Sequence, residues 1–378
     1  MSSQDTNSGS QTTDTDASAS MSPPVPVSPP VQRPAQDPSL RGVVGLQNMG
    51  NTCYAHSTIQ LIRCAPEISA LIVDESLSSQ VRDPSCGQGK VILAYQDLIR
   101  TMWMAYRPSY VRPMGFLTEI AHCVRDTVYS NFGMRMQNDS HEYLVYLLDN
   151  FHEALNQNKG ATVAEMTARA PGDTPMTELA ENGWNEFAVR NKSPIIDLCF
   201  GMTRQTIECQ NCHKKSYQWQ TFNVFKIPCE GATFADWIAS EFNPEEIDGY
   251  DCTGCRPTRQ RATLSRHIWK LPSVLFASLR RFTPDMRKIM TPCPYDGSVM
   301  NFSAYFAPES NHPSREWKYD LRGIVDHHGS HMGGHYSAQI THPSTHEWWM
   351  IDDEMSMPLE GPRLRYPSNY MYLFRKQV

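Results

Sequence analysis

Two short cysteine pairs, "CQNC" at residues 209 to 212 and "CTGC" at 252 to 255, constrain this chain more than any other feature. Each pair sets two thiols on one turn, and two such knuckles complete the tetrahedral four-sulfur set that closes around a structural zinc ion. The chain between them, residues 213 to 251, is longer than a simple ribbon needs. Strands such as the one in "YQWQTFNVFKI" must therefore lie between the halves and bring the second knuckle back to the first. Cys209, Cys212, Cys252 and Cys255 are accordingly expected to hold one Zn2+. A redox role for either pair is the weaker reading, because two coincident knuckles fit a metal better. Cys53 apart, the remaining six of the eleven cysteines have no pairing pattern, and core or surface positions are their default.

Helices precede strands along the chain. In "NTCYAHSTIQLIRCAPEI" the apolar residues Ala55, Ile59 and Ile62 fall at helical spacing, closed by Pro66. A second helix runs through "SHEYLVYLLDNFHEAL", with Tyr143, Leu144, Leu147, Leu148, Phe151 and Leu155 as its stripe and Asp139 or Ser140 as its N-cap. Residues 156–180 lack a sustained period and read as an inserted loop. Later segments, among them "PSVLFASLRRF", "YDLRGIVDHH", "HYSAQITH", "EWWMIDD" and "NYMYLFRK", are β-branched or aromatic runs punctuated by Gly and Pro. That order predicts an α+β fold in which a helical lobe faces a mostly antiparallel sheet across a cleft. Residues 1–41, rich in Ser, Thr and Pro and without an aromatic residue, are expected to form a disordered tail. With a net charge of -6, the chain offers no global attraction to nucleic acid or an anionic membrane. Its apolar runs are too short to span a bilayer, and its N-terminus lacks the features of a secretory signal. The expected compartment is cytosol or nucleus, where thiols stay reduced.

Cys53 opens the first of these helices, and a helix N-terminus favours thiolate through its unpaired amides and dipole. Asn48 lies five residues upstream, with a side-chain amide able to donate to an oxyanion. Cysteine is also among the most frequently buried residues, so this stretch alone leaves a nucleophile and an inert core thiol evenly matched. A catalytic thiol needs a base, and the base needs an orienting group. "GGHYSAQI" offers His335 after a glycine pair, and "WWMIDD" offers Asp352 seventeen residues on, within reach if the two runs form one hairpin. His327, His328 and His331 read as structural hydrogen-bonders.

Taken together, these segments resemble the ubiquitin-specific proteases, papain-like cysteine peptidases that remove ubiquitin. "GLQNMGNTCYAHSTIQ" is similar to that family's cysteine box, "QNDSHEYLVYLLD" to its glutamine-aspartate box, and "GGHYSAQI" with "WWMIDD" to its histidine box. The cysteine knuckles match its zinc-bearing fingers, and "LPSVLFASLRRF" matches its leucine-arginine-phenylalanine strand. The resemblance spans residues 42–378 in the family's order. It implies a helical thumb over about 42–155, zinc-ribbon fingers over about 200–270 and a β-sheet palm mainly over about 270–378. By matching position it implies Cys53 as nucleophile, His335 as base, Asp352 as orienter and Asn48 as oxyanion donor. Gln137, Asp139 and Tyr336 would contact the ubiquitin tail, with Asp139 facing an arginine; an N-cap role for Asp139 would need no ligand. Ubiquitin, ubiquitinated proteins and activating or adaptor proteins are the implied partners. An inactive ubiquitin-binding scaffold and a protease for a ubiquitin-like modifier are the alternatives. The chain departs from the family's usual Met-Asn at Ala55-His56 and from its second Gln at Asn138, and Asp353 could share the role of Asp352.

Overall fold

The helix signalled by Ala55, Ile59 and Ile62 forms as α1 (Cys53–Arg63), and all of its residues are buried. A helix with no solvent face must be enclosed on every side. In the computed structural model, which describes residues 42–104, 109–134, 136–159, 174–310 and 317–377, helices cover one side of α1 and a sheet covers the other. The helices are α2 (Pro66–Val73), α3 (Leu77–Gln80), α4 (Gly87–Met102), α5 (Met114–Val124) and α6 (Ser140–Leu155), followed by α7 (Met176–Arg190) and α8 (Pro194–Cys199). Pro66 begins α2 at a first-turn position, where its missing N–H costs nothing. Asp139 caps α6, its Oδ1 accepting from the amides of His141 at 2.8 Å and Glu142 at 3.0 Å.

The expected tail, residues 1–41, lies outside the described residues, as does 160–173 of the expected insertion. Residues 176–180, read as loop, instead open α7. Its stripe is thin: Ala180 is buried while Trp184 and Phe187 are half-buried, so the helical period emerges only past the assumed boundary.

Two short strands, β1 (Gly45–Leu46) ahead of α1 and β2 (Tyr110–Val111) between α4 and α5, pair in parallel. After α8 the chain enters β3 (Gly201–Cys209) and β4 (Lys215–Phe222), then crosses at Asn223 into β5 (Val224–Ile227). It returns through α9 (Phe234–Ser240) to β6 (Glu245–Tyr250) and β7 (Gln260–Lys270). A four-stranded antiparallel sheet results, in the order β4-β3-β7-β6. β5 does not join it; it pairs in parallel with β8 (Val274–Leu279) in the larger sheet. The expected finger segment of about 200–270 is thus interrupted, because the single run "QTFNVFKI" is divided between two sheets.

The larger sheet adds β9 (Met300–Asn301), β10 (Lys318–Ser330), β11 (Gly333–Thr341), β12 (Trp348–Asp352), β13 (Met355–Leu359) and β14 (Asn369–Lys376). Its order is β13-β12-β11-β10-β14-β8-β5, with β9 on β10. Both faces of its centre are covered, which is why "VLFASL" is buried throughout and, but for Ser278, apolar instead of alternating. Val274, Phe276, Met371 and Leu373 face the core around α1, while Leu275, Ala277, Tyr372 and Phe374 face a second core with Trp237 and Tyr295.

Candidate active site

Cys53 is the first residue of α1, only 5 % exposed. The turn before it passes through the left-handed region at Gly50 (φ 103) and Asn51 (φ 53), which glycine and asparagine adopt most readily. The thiol thus stands in the first turn of a helix, where unpaired amides and the helix dipole favour negative charge.

His335 stands on β11, and β12 runs antiparallel beside it, so the hairpin assumed from the sequence forms. His335 Nε2 lies 2.5 Å from Asp352 Oδ1 at the end of β12. The ring's other nitrogen is left for the Cys53 thiol, whose influence on this imidazole is second to that of Asp352. The hydrogen bond to Asp352, then that to Cys53, raises the pKa of His335 to about 10 against the opposing effect of burial. Cys53, His335 and Asp352 are thereby brought together.

Asn48 points its amide nitrogen at the neighbouring carboxylate: Nδ2 donates to Asp353 Oδ2 at 2.7 Å. Its Oδ1 accepts from the Gly50 amide at 2.9 Å and the Thr52 hydroxyl at 3.2 Å. The backbone amide of Asn48 donates to Glu354 Oε1 at 3.0 Å. Asp353 also accepts from His56, so its carboxylate, although one of its oxygens lies within 4.8 Å of a His335 ring nitrogen, is engaged by His56 and Asn48. Hydrogen bonds from His56 and Asn48 outweigh burial and hold the Asp353 pKa below its ordinary value.

A cleft of about 530 Å3 opens from Cys53, lined by Gln137, Asp139, Phe282, Gly334, Tyr336 and Tyr370 among others. Gln137 Oε1 crosses it to accept from the Gly334 amide at 2.9 Å. Tyr336 stacks on His327 with centroids 4.5 Å apart, forming one wall. Besides capping α6, Asp139 accepts through Oδ2 from Tyr370 Oη at 2.7 Å and, at 3.5 Å, from Tyr336 Oη. A larger hollow of about 700 Å3, bounded by Phe234, Cys293 and Tyr295, has no imidazole on its walls, whereas the cleft at Cys53 has His327 and His331 on its own. His327 stacks where a structural hydrogen bond was expected of its ring; burial, then Lys288, lowers its pKa to about 4.

The four knuckle cysteines meet at the end of the smaller sheet. Their sulfurs all lie within 4.8 Å of one another, with Cys209 to Cys255 at 3.8 Å and Cys212 to Cys252 at 3.5 Å. Tetrahedral zinc–thiolate bonds of roughly 2.3 Å require sulfurs about 3.8 Å apart, so the donor set fits a metal ion. The amide of Cys212 is the largest influence lowering the Cys209 pKa to about 6, toward the thiolate that a metal requires.

In the sequence His56 stands out only as a departure from the family's usual residue, and Glu354 and Tyr370 carry no signal at all. One signal was available: His56 lies three residues after Cys53, hence on nearly the same face of α1. The other two become visible only once distant strands pair.

Residues 44–374 match the family model described as ubiquitin carboxyl-terminal hydrolase. The chain is 26% identical over 363 residues to ubiquitin carboxyl-terminal hydrolase 5 of Saccharomyces cerevisiae, covering 88% of this chain and 45% of that protein. It is 25% identical over 349 residues to ubiquitin carboxyl-terminal hydrolase 2 of Homo sapiens, covering 89% and 55%. The chain thus spans about half the length of the curated relatives it matches. Among solved structures, the SAGA DUB module of Ubp8, Sgf11, Sus1 and Sgf73 bound to monoubiquitin superposes with a TM-score of 0.70 at 20% identity, over 91% of this chain and 71% of that one. The same module bound to ubiquitin aldehyde gives 0.68 at 19% identity, with the same coverage of each chain. These likenesses establish the fold: helical thumb, β-sheet palm and fingers carrying the four-cysteine cluster.

Proposed function

This chain belongs to the ubiquitin carboxyl-terminal hydrolase family, and from that premise we propose that it is a deubiquitinating cysteine protease. It would hydrolyse the isopeptide or peptide bond after the C-terminal glycine of ubiquitin. The observation that carries this reading is the chain of contacts from Cys53 through His335 to Asp352, at the N-terminus of a buried helix and at the end of a cleft.

In the proposed reaction the Cys53 thiolate adds to the glycine carbonyl carbon. The oxyanion accepts from the amides at the start of α1 and from the Asn48 Nδ2–H not engaged by Asp353. The carbon–nitrogen bond breaks as the His335 imidazolium gives its proton to the leaving lysine amine. Water then attacks the thioester, His335 takes the proton, and the thiolate leaves. Asp352 keeps the imidazole oriented and its cation stable. Tyr336 and the Gln137–Gly334 contact would narrow the channel to a tail without β-carbons. Asp139 would meet a tail arginine only by sharing oxygens that already accept from tyrosines and helix amides.

Zn2+ on Cys209, Cys212, Cys252 and Cys255 would be structural, tying β3 to the loop before β7. Ubiquitin conjugates are the substrates in this reading, adaptor proteins are further partners, and cytosol or nucleus is the place of action. A ubiquitin probe with a C-terminal electrophile should form a covalent adduct that Cys53→Ala abolishes. Folded, zinc-loaded protein that binds ubiquitin without forming an adduct would make the chain a scaffold instead. Reaction only with a probe built on a ubiquitin-like modifier would reassign the substrate.

A further inference from the structure

One turn beyond Cys53, α1 carries His56, which is only 3 % exposed. Its Nδ1 lies 2.8 Å from Asp353 Oδ1. An ionised carboxylate only accepts, so the ring donates from Nδ1. Nε2 is buried without a hydrogen-bond partner among the described residues. The imidazole is therefore held by one polar contact, and that contact is to Asp353.

Asp353 in turn faces Asn48. Oδ2 accepts from Asn48 Nδ2 at 2.7 Å, while Asn48 Oδ1 is occupied by the Gly50 amide and the Thr52 hydroxyl. These bonds decide the orientation of the amide and leave its second Nδ2–H for an incoming oxygen. Asp353 occupies the β12–β13 turn with φ 46, a conformation costly for a residue with a β-carbon. It is retained there by its carbonyl, which accepts from the Leu46 amide at 2.7 Å, and by the two side-chain bonds to His56 and Asn48. The same turn thus supports two arms: Asp352 holds His335, and Asp353 links His56 to Asn48.

We propose that His56 is a positioning residue for the reaction: by donating to Asp353, it fixes the carboxylate that aims the Asn48 amide at the oxyanion. The inference rests on the reading of Asn48 given above. A space-filling role for the imidazole predicts different behaviour, because it depends on volume and not on a donor. In asparagine the side-chain NH2 occupies nearly the position of the imidazole Nδ1, glutamine carries its NH2 near that of Nε2, and leucine fills space with no donor at all.

The test uses the full, zinc-loaded chain with a fluorogenic ubiquitin amide, measuring kcat and KM, and thermal unfolding for each variant. An interaction made only in the transition state lowers kcat and spares KM. Losing an oxyanion donor costs about 10²–10³-fold, so misaiming one should cost His56→Leu about 10- to 100-fold in kcat. His56→Asn should recover most of that loss. In an Asn48→Ala background, His56→Leu should add little. The inference is overturned if the Leu variant matches the unsubstituted protein, if Asn performs no better than Leu, or if the loss persists in full without Asn48. Should the Leu variant fail to fold, His56→Gln replaces it, and full activity there overturns the inference. An unsubstituted protein that neither turns over nor reacts with the ubiquitin probe removes the catalytic reading itself, and this inference with it.

Discussion

Asp352→Asn keeps the shape of the side chain and removes its charge. In the structure the bond from His335 to Asp352 is the largest cause raising the His335 pKa to about 10. The sign follows directly: a raised pKa keeps the imidazolium up to high pH, and it is lost as pH rises through that value. At pH 8 a group titrating near 10 is about 99 % protonated, whereas one at the ordinary imidazole value of about 6.5 is about 3 % protonated. The ceiling on the loss is therefore about 30-fold at pH 8. Cys53, the second cause, remains in the variant, so the expected fall is about 3- to 30-fold, with the alkaline limb of the rate profile moving down by about one unit or more. Initial rates with a fluorogenic ubiquitin amide between about pH 6 and 10 read both quantities. KM should be little changed, because Asp352 faces the imidazole and is not among the residues lining the cleft. An unmoved alkaline limb at full activity would refute the assignment of Asp352 as the orienting acid. Asp353 cannot take over without abandoning its bonds to His56 and Asn48.

Three further perturbations test the surroundings. Cys209→Ser should lower zinc content from about one ion per chain toward zero and reduce the melting temperature, while protein kept folded in the cold still labels at Cys53; unchanged stability and no bound zinc in the unsubstituted protein would remove the metal site. Asp139→Ala removes a helix cap worth about 0.5–2 kcal/mol and strands the buried Tyr370 hydroxyl at about 1–3 kcal/mol, so urea unfolding should show a loss of about 1.5–5 kcal/mol. Asp139→Asn, which keeps a carbonyl oxygen for the helix cap and turns its NH2 to the Tyr370 hydroxyl oxygen as a donor, should lose less than Asp139→Ala. Gly334→Ala would put a β-carbon 2.3 Å from the His328 carbonyl oxygen and 2.5 Å from His327 Nε2, displacing the strand next to His335; a fall in kcat of more than about 10-fold is expected, measured beside a thermal melt.

Local pattern alone determined a good deal. Apolar spacing marks α1 and α6, continuous apolar and aromatic runs mark the palm strands, and the cysteine spacing marks a four-thiol cluster. Such features depend on neighbours a turn or a pleat away, so the linear order already contains them. The switch of the chain from β4 to β5 was not of this kind: one aromatic run supplies two sheets, and only pairing with β8 separates them. Nor was the setting of the candidate site. His56 reaches Asp353 across 297 residues, and Tyr370 reaches Asp139 across 231. A histidine and an acid can be read from the sequence as candidates, but a hydrogen bond also requires distance and direction. Those are set by the packing of α1 against β11 and the register of β12 on β11, which decide where each residue stands.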